Sequence, residues 1–191
     1  MQKTLSKEEI IAEWRIVEAS KADPAHFGIL YERYFRAIFL FIFRRVDEEA
    51  VTGDLTSEVF LKAMLNLAKI EYRGLPFKAW LYRIASNEVN LYFRNKAGER
   101  TVNFEKADIE RMMAESTGDK LITEEQENIL AEELQYLNEK DMQLIEMRFF
   151  EKIPFAEIAF ILGLTENNAK VKLHRILAKL GQRLKKKFEN E

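Results

Sequence analysis

Residues 154–175 read PFAEIAFILGLTENNAKVKLHR, and they contain the clearest structural signal in the chain. Pro154 suits the first turn of a helix that runs to Leu162, and Gly163 is well suited to end that helix. Thr165 is a good N-cap for the next helix. A helix, a short turn containing glycine and a second helix predict a helix-turn-helix, a motif whose second helix enters the major groove of DNA.

The second helix of this motif is strongly basic. Residues 165–187 hold eight Lys or Arg and one acid, a net charge of +7, in a chain whose total is −2. Such a helix is often only a solvated surface, but this much positive charge after a glycine turn favours contact with DNA. Lys and Arg neutralise phosphates, while Asn and Glu can discriminate between bases. The residues predicted to face DNA here are Thr165, Glu166, Asn167, Asn168, Lys170, Lys172, His174 and Arg175.

The rest of the chain shows helical periodicity. Apolar residues recur at spacings of three and four in 27–43, in a second segment from Asp54, and in a third over about 77–96. Seven Gly and three Pro in 191 residues leave little room for the turns of a β fold. We therefore predict an all-α fold.

An acidic segment separates two helical parts. Residues 99–133 hold eleven acids and four bases, a net charge of −7, and the periodicity fades there. We predict two small helical domains, 1–96 and 125–191, joined by an acidic flexible linker, 97–124. The acidic segment and the basic helix are expected to face different partners.

Composition excludes several classes of protein. The chain has no Cys and two isolated His, so disulfides, thiolate metal sites and the usual zinc centre are not expected. No cofactor is predicted. The N-terminus lacks the apolar stretch of a signal peptide, and no uncharged run approaches the length of a membrane span. We expect a cytoplasmic protein without direct membrane insertion, and not an enzyme.

Residues 77–87 interleave aromatic, basic and amide side chains, as surfaces that bind unpaired DNA often do. The alternative is that the aromatic residues belong to the core, and we predict core burial for Phe77 and Trp80. The residues on a more polar face are the better candidates for contact with DNA: Tyr82, Arg83, Asn87, Asn90 and Arg94.

An ordered series of motifs resembles the extracytoplasmic-function (ECF) group of the sigma-70 family, whose members retain regions 2 and 4. The resemblance covers about Phe27 to Leu184, excluding the linker. Its motifs are FGILYERY at 27–34, DLTSEVFLKA at 54–63, WLYRIASN at 80–87, EIA at 157–159, LGLT at 162–165 and AKVKLHR at 169–175.

The resemblance implies roles for each part. The chain would be an alternative sigma factor that binds core RNA polymerase, recognises the −10 and −35 promoter elements, opens the promoter and so directs transcription initiation. Region 2 would dock on the β′ clamp helices, region 4 would bind near the β flap, and the acidic linker would thread towards the RNA exit channel. An anti-sigma factor is a further partner that the resemblance allows.

Site residues are carried over at matching positions. The helix from Thr165 to Arg175 would read the −35 element. Polymerase contact is predicted for Asp54, Glu58, Val59 and Phe60. Contact with the −10 element is predicted for Tyr72, Arg73, Lys78, Tyr82, Arg83, Ser86, Asn87, Asn90 and Arg94, with Asn87 facing an unstacked base.

Four residues depart from the family pattern and make the promoter sequence hard to transfer from relatives: Ser57, Ser86, Leu91 and Val171. An operator-binding regulator whose first domain dimerises or senses a ligand is the alternative function. It would bind palindromic duplex DNA without polymerase. A helical hydrolase is a third possibility, but the sequence contains no metal-ligand cluster, no His paired with a nucleophile and no phosphate-binding loop.

Overall fold

The computed structural model describes residues 5–95, 110–112, 114 and 123–188, and every regular element in these residues is helical. The all-α prediction is thereby confirmed. The described residues divide into two compact units, one containing residues 5–95 with Phe160–Leu162 and the other the remaining described residues from 110 to 188. The predicted linker, 97–124, lies largely outside the described residues.

The first unit is a four-helix arrangement. Its helices are α1 (Lys7–Ala22), α2 (Phe27–Val46), α3 (Glu49–Leu65) and α4 (Phe77–Asn95), with short 3₁₀ turns at Pro24–His26 and Leu67–Lys69. Helix α2 supplies much of the core because its buried residues Leu30, Tyr34, Ile38 and Ile42 recur every fourth position. An irregular segment, residues 70–76, joins the second 3₁₀ turn to α4.

From residue 123 onwards the described helices are α5 (Glu124–Gln135), α6 (Glu139–Ile145) with a π turn at Glu146–Phe150, α7 (Phe155–Leu162) and α8 (Glu166–Phe188). Asn138 caps α6, since its side-chain oxygen accepts the Asp141 N–H at 3.1 Å. Along α8 the buried side chains include Leu173, Leu177 and Leu180. This spacing gives α8 one apolar face towards the core and leaves the opposite face to solvent.

The predicted turn of the helix-turn-helix is present. Gly163 has φ +67°, in the left-handed region that glycine adopts readily. The Leu164 N–H donates to the Ala159 carbonyl at 2.8 Å, which is the six-to-one bond of a Schellman motif. Thr165 then caps α8, because its hydroxyl accepts the Asn168 N–H at 3.2 Å. The helix stop and the N-cap predicted from sequence are both confirmed.

Candidate nucleic-acid interface

The N-terminal half of α8 presents a continuous polar surface. Its predicted DNA-facing residues are exposed, with Lys172 half-buried, whereas Ala169 and Leu173 are buried beneath them. The exposed set is Thr165, Glu166, Asn167, Asn168, Lys170, His174 and Arg175. The predicted set is thus accessible to solvent, apart from the half-buried Lys172.

Two cations on this surface already have carboxylate partners. Lys170 Nζ lies 2.6 Å from Glu166 Oε1, and Lys172 Nζ lies 2.8 Å from Asp141 Oδ1. Arg175 forms no ion pair within the described part of the chain. A phosphate must therefore compete with a carboxylate at Lys170 and Lys172, but not at Arg175.

A basic groove of about 310 Å³ runs beside α8. Four of its cations recur at spacings of three and four along one helix face, and they are Lys172, Arg175, Lys179 and Arg183. Tyr136, 74% exposed, also lines the groove. Lys179, Arg183 and Tyr136 were not predicted as site residues, although the helical spacing of the cations is visible in the sequence.

In the first unit, the predicted −10 residues divide by burial. Tyr72, Arg73, Asn87 and Arg94 are exposed, and Arg83 and Asn90 are partly exposed. Lys78, Tyr82 and Ser86 are buried, so the prediction that they contact DNA directly is corrected. These three lie at intervals of four on the face of α4 that packs into the unit, where the Tyr82 ring meets the Phe41 ring edge-on at 4.9 Å.

The core face of α4 thus differs from the prediction at Trp80. Leu81, Ala85 and Val89 are fully buried, whereas Trp80 and Ile84 are only half-buried. Phe77 is buried as predicted, but Trp80 is displaced from the predicted core towards the surface.

Trp80 and Ile84 line a pocket of about 330 Å³ on the first unit. The predicted residues Arg83 and Asn87 line the same pocket, and Arg73 lies 6.0 Å from the centre of the Trp80 ring. The pocket therefore combines an aromatic surface, two guanidinium groups nearby and an exposed amide. The remaining lining residues are Lys62, Asn66, Lys69, Ile70 and Glu88.

Lys62, which lines this pocket, forms ion pairs with two carboxylates. Its Nζ lies 2.6 Å from Glu88 Oε2 and 3.1 Å from Glu58 Oε1. The hydrogen bond to Glu88, helped by Glu58, raises the pKa of Lys62 above its usual range. Lys62 was not among the predicted site residues, because its closer partner, Glu88, lies on α4 and is distant in sequence.

The predicted polymerase surface on α3 is divided in the same way. Asp54 is exposed and Glu58 is partly exposed, but Val59 and Phe60 are 0% and 3% exposed. The prediction that Val59 and Phe60 contact polymerase directly is therefore corrected. Both side chains belong to the core, where the Phe60 ring packs 4.8 Å from the Tyr31 ring. The exposed apolar side chains on α3 are instead Leu61, Met64 and Leu65.

The described residues form neither a metal-ligand cluster nor a membrane-spanning helix. None of their His, Asp and Glu side chains form a group of three or more that could hold a metal ion. No helix among them is both long enough and apolar enough to cross a membrane.

Two unlike helical units, one with an aromatic and polar pocket and one with a basic helix-turn-helix, define a promoter-binding transcription factor. Family models support this class. The model for sigma-70 region 2 matches residues 30–99, and that for sigma-70 region 4 matches residues 127–180. Together they cover well over half of the chain.

Curated relatives agree with these matches. The chain is 29% identical over 170 residues to the ECF RNA polymerase sigma factor BldN of Streptomyces coelicolor, covering 88% of this chain and 64% of BldN. The chain thus spans less than two thirds of BldN. It is 27% identical to the RNA polymerase sigma factor YlaC of Bacillus subtilis, covering 85% of this chain and 94% of YlaC. Identity to the ECF RNA polymerase sigma factor SigW of the same organism is 24%, with 87% and 93% covered.

Among solved structures, that of the RsbN–BldN complex matches with a TM-score of 0.38 and 24% identity, covering 88% of this chain and 98% of that one. On the family models and curated relatives, the chain belongs to the ECF group of the sigma-70 family. The relatives it matches are RNA polymerase sigma factors.

Proposed function

We propose that this sigma factor recognises its promoter with two separate surfaces, reading the −35 element with α8 and opening the −10 element with the first unit. The observation that carries the proposal is the pairing of a basic helix-turn-helix surface with a pocket that contains a tryptophan ring and an amide. The two surfaces differ in chemistry, which suits one duplex element and one unpaired element.

The −35 element would be bound by the exposed start of α8. Asn167 and Asn168 lie in the first turn, where side chains of a recognition helix contact base edges. Lys170, Arg175 and the basic groove behind them would hold the phosphates on either side. Binding should weaken steeply as salt rises, because each phosphate contact releases counterions.

The −10 element would be opened at the pocket on the first unit. A base that stacks on an aromatic ring gains about 1–3 kcal/mol, which is comparable to the few kcal/mol that unstacking costs. Trp80 offers such a ring, Asn87 offers an amide for the edge of the base, and Arg73 and Arg83 are placed to hold the backbone. Tyr72, in the exposed loop before α4, is a second aromatic surface.

Core polymerase would dock on the exposed side of α3. Asp54 and Glu58 supply negative charge there, and Leu61, Met64 and Leu65 supply apolar area. The β′ clamp helices for region 2, the β flap for region 4 and an anti-sigma factor remain predictions for this chain. So do the domain limits 1–96, 97–124 and 125–191.

The deciding experiment is reconstituted transcription. We expect core polymerase plus the purified protein to start transcripts at specific genomic sites that core polymerase alone ignores, with permanganate-reactive thymines near −10. An operator-binding regulator would instead bind duplex DNA at a palindrome without polymerase. If no template gives a factor-dependent transcript, the proposed function is wrong.

A further inference from the structure

Helix α1 lies ahead of the residues that match the region 2 model, which begins at residue 30. Nevertheless, polar side chains on α1 reach the segment at 70–76 that precedes α4, which we call the opening loop. This loop carries Tyr72 and Arg73, two of the exposed residues assigned to the −10 element. The contacts of α1 therefore bear on promoter opening.

Three hydrogen bonds fasten the opening loop and the start of α4 to α1. Lys21 Nζ donates to the Ile70 carbonyl at 2.8 Å. Trp14 Nε1 donates to the Leu75 carbonyl at 2.7 Å, and the Phe77 N–H donates to Glu13 Oε2 at 2.7 Å. The bonds lie at the beginning of the loop, at its end and at the first residue of α4.

Glu13 is the most constrained of these anchors because it is 1% exposed. Its other oxygen, Oε1, accepts the Tyr34 hydroxyl and the Arg33 guanidinium, the latter at 3.3 Å. Removing the partners of a buried carboxylate is costly, because the charge is then left without hydrogen bonds away from water. Its negative charge also lies at the N-terminus of α4, where the helix dipole favours an anion.

The ring of Trp14 adds a contact to the exposed part of the loop. It lies 5.4 Å from the Tyr72 ring in an edge-on arrangement with an interplanar angle of 63°, and 6.5 Å from the Phe77 ring. Trp14 itself is 4% exposed, so it provides a fixed support for Tyr72, which is 46% exposed. The orientation of a candidate DNA-stacking residue is thus set from α1.

We propose that α1 is the positioning element of promoter opening, with Glu13 and Trp14 as positioning residues that hold the opening loop in its DNA-accepting form. A loop held in advance need not be ordered when unpaired bases bind, so less of the binding free energy is spent on ordering it. The inference rests on the proposed function of the loop and α4. It assigns to α1 an effect on strand opening that is separate from core binding.

The test uses the full-length protein in holoenzyme, with Glu13→Ala and Trp14→Phe as the probes. Trp14→Phe removes the indole N–H and makes the ring smaller, but it keeps an aromatic side chain. The control is Val17→Ala, a change at a fully buried α1 residue that takes part in none of these hydrogen bonds and ring contacts. Glu13→Gln keeps an oxygen for the Phe77 N–H and a polar group for Tyr34, so it serves as the conservative rescue.

Three readouts separate positioning from stability. We expect Glu13→Ala to reduce permanganate reactivity on duplex promoter by about tenfold, the effect of losing one hydrogen bond to a charged group. Affinity for core polymerase should stay within about twofold, because α1 is not part of the predicted polymerase surface on α3. Hydrogen exchange of the loop and of the Phe77 amide should quicken in Glu13→Ala and Trp14→Phe, but not in Val17→Ala.

Glu13→Gln should restore most of the opening. Equal opening by Glu13→Ala and Val17→Ala at the same fraction folded would overturn the inference. If Glu13→Ala does not fold, Trp14→Phe decides, and normal opening with normal exchange in that variant counts against the inference. Failure of wild-type holoenzyme to open any promoter would instead overturn the proposed function itself.

Discussion

Replacing Asp141 by Asn should strengthen promoter binding while slightly weakening the fold. Asp141 holds Lys172 through a 2.8 Å ion pair in which the two side chains are 21% and 35% exposed, respectively. The substitution keeps the size of the side chain and an oxygen for Asn138, but it removes the charge that competes with phosphate for Lys172. Lys172 is then free to contact DNA.

The size of the effect follows from counterion release. One additional phosphate contact makes the slope of log K against log salt steeper by about 0.9. If the two proteins bind equally at 1 M salt, the binding constant of the variant exceeds that of wild type about eightfold at 0.1 M and about threefold at 0.3 M. The cost to folding is about 0.2–1 kcal/mol, because a partly exposed ion pair and an acid in the first turn of α6 are both lost.

The assay is a fluorescence anisotropy titration of holoenzyme on a labelled promoter fragment at several salt concentrations. Glu132→Gln is the matched control, since it removes one acid that pairs with α8 at its far end, 3.3 Å from Lys187. The double variant Asp141→Asn with Lys172→Gln should lose the gain. An unchanged slope for Asp141→Asn, or the same gain for Glu132→Gln, would refute the assignment of Lys172 to a phosphate.

Three further predictions concern other parts of the molecule. Replacing Asp54 and Glu58 by Lys should weaken core polymerase binding at least tenfold and leave the circular dichroism spectrum unchanged. Replacement by the neutral residues Asn and Gln should give an affinity between those of wild type and the Lys variant. Fully retained affinity would show that neither residue lies in the interface. Gly163→Ala should lower the free energy of unfolding by about 1 kcal/mol, because φ +67° strains any residue with a Cβ and no neighbour lies within 4 Å of the added carbon; denaturant titration would contradict this by showing no loss. Burial, reinforced by the Glu13 carboxylate, raises the pKa of Tyr34, so the stability that its phenol contributes is complete below about pH 10 and declines as pH rises above it. Unfolding titrations from pH 9 to 11 should therefore show wild type losing up to about 1.4 kcal/mol per pH unit more than Tyr34→Phe, and equal slopes would contradict the prediction.

The helix-turn-helix was predictable because its signals are local. The bond that closes the turn at Gly163 spans five residues and the Thr165 cap spans three, so neighbouring residues determine both. The exposed face of α8 follows from the same periodicity. For this motif, the sequence pattern and the structure lead to the same set of candidate residues.

The face of α4 was harder to predict because polarity was a poor guide to it. Lys78 and Ser86 are polar, and Tyr82 carries a hydroxyl, but all three are buried. Tyr and Lys have long apolar portions that pack in a core while the polar end finds a partner. Trp80, the largest apolar side chain of the helix, lies instead beside the pocket. Which face packs inward depends on α2 and α3, which are distant in sequence.

Charge counts along the chain also misjudge which groups are available to DNA. The acidic count of residues 99–133 includes Glu132 and Glu133, yet both lie on α5 and pair with the basic helix: Lys187 lies 3.3 Å from Glu132 and 3.2 Å from Glu133, and Arg183 lies 3.3 Å from Glu133. The expectation that the acidic and basic segments face only different partners is therefore wrong at these residues. The net charge of +7 suggests that every Lys and Arg can contact phosphate. A cation that is paired with a carboxylate, however, must break that ion pair before it can contact DNA. Counterion release on binding DNA should consequently be smaller than eight phosphate contacts would give, and substitutions of acids on α5 and α6 can change it as surely as substitutions on α8.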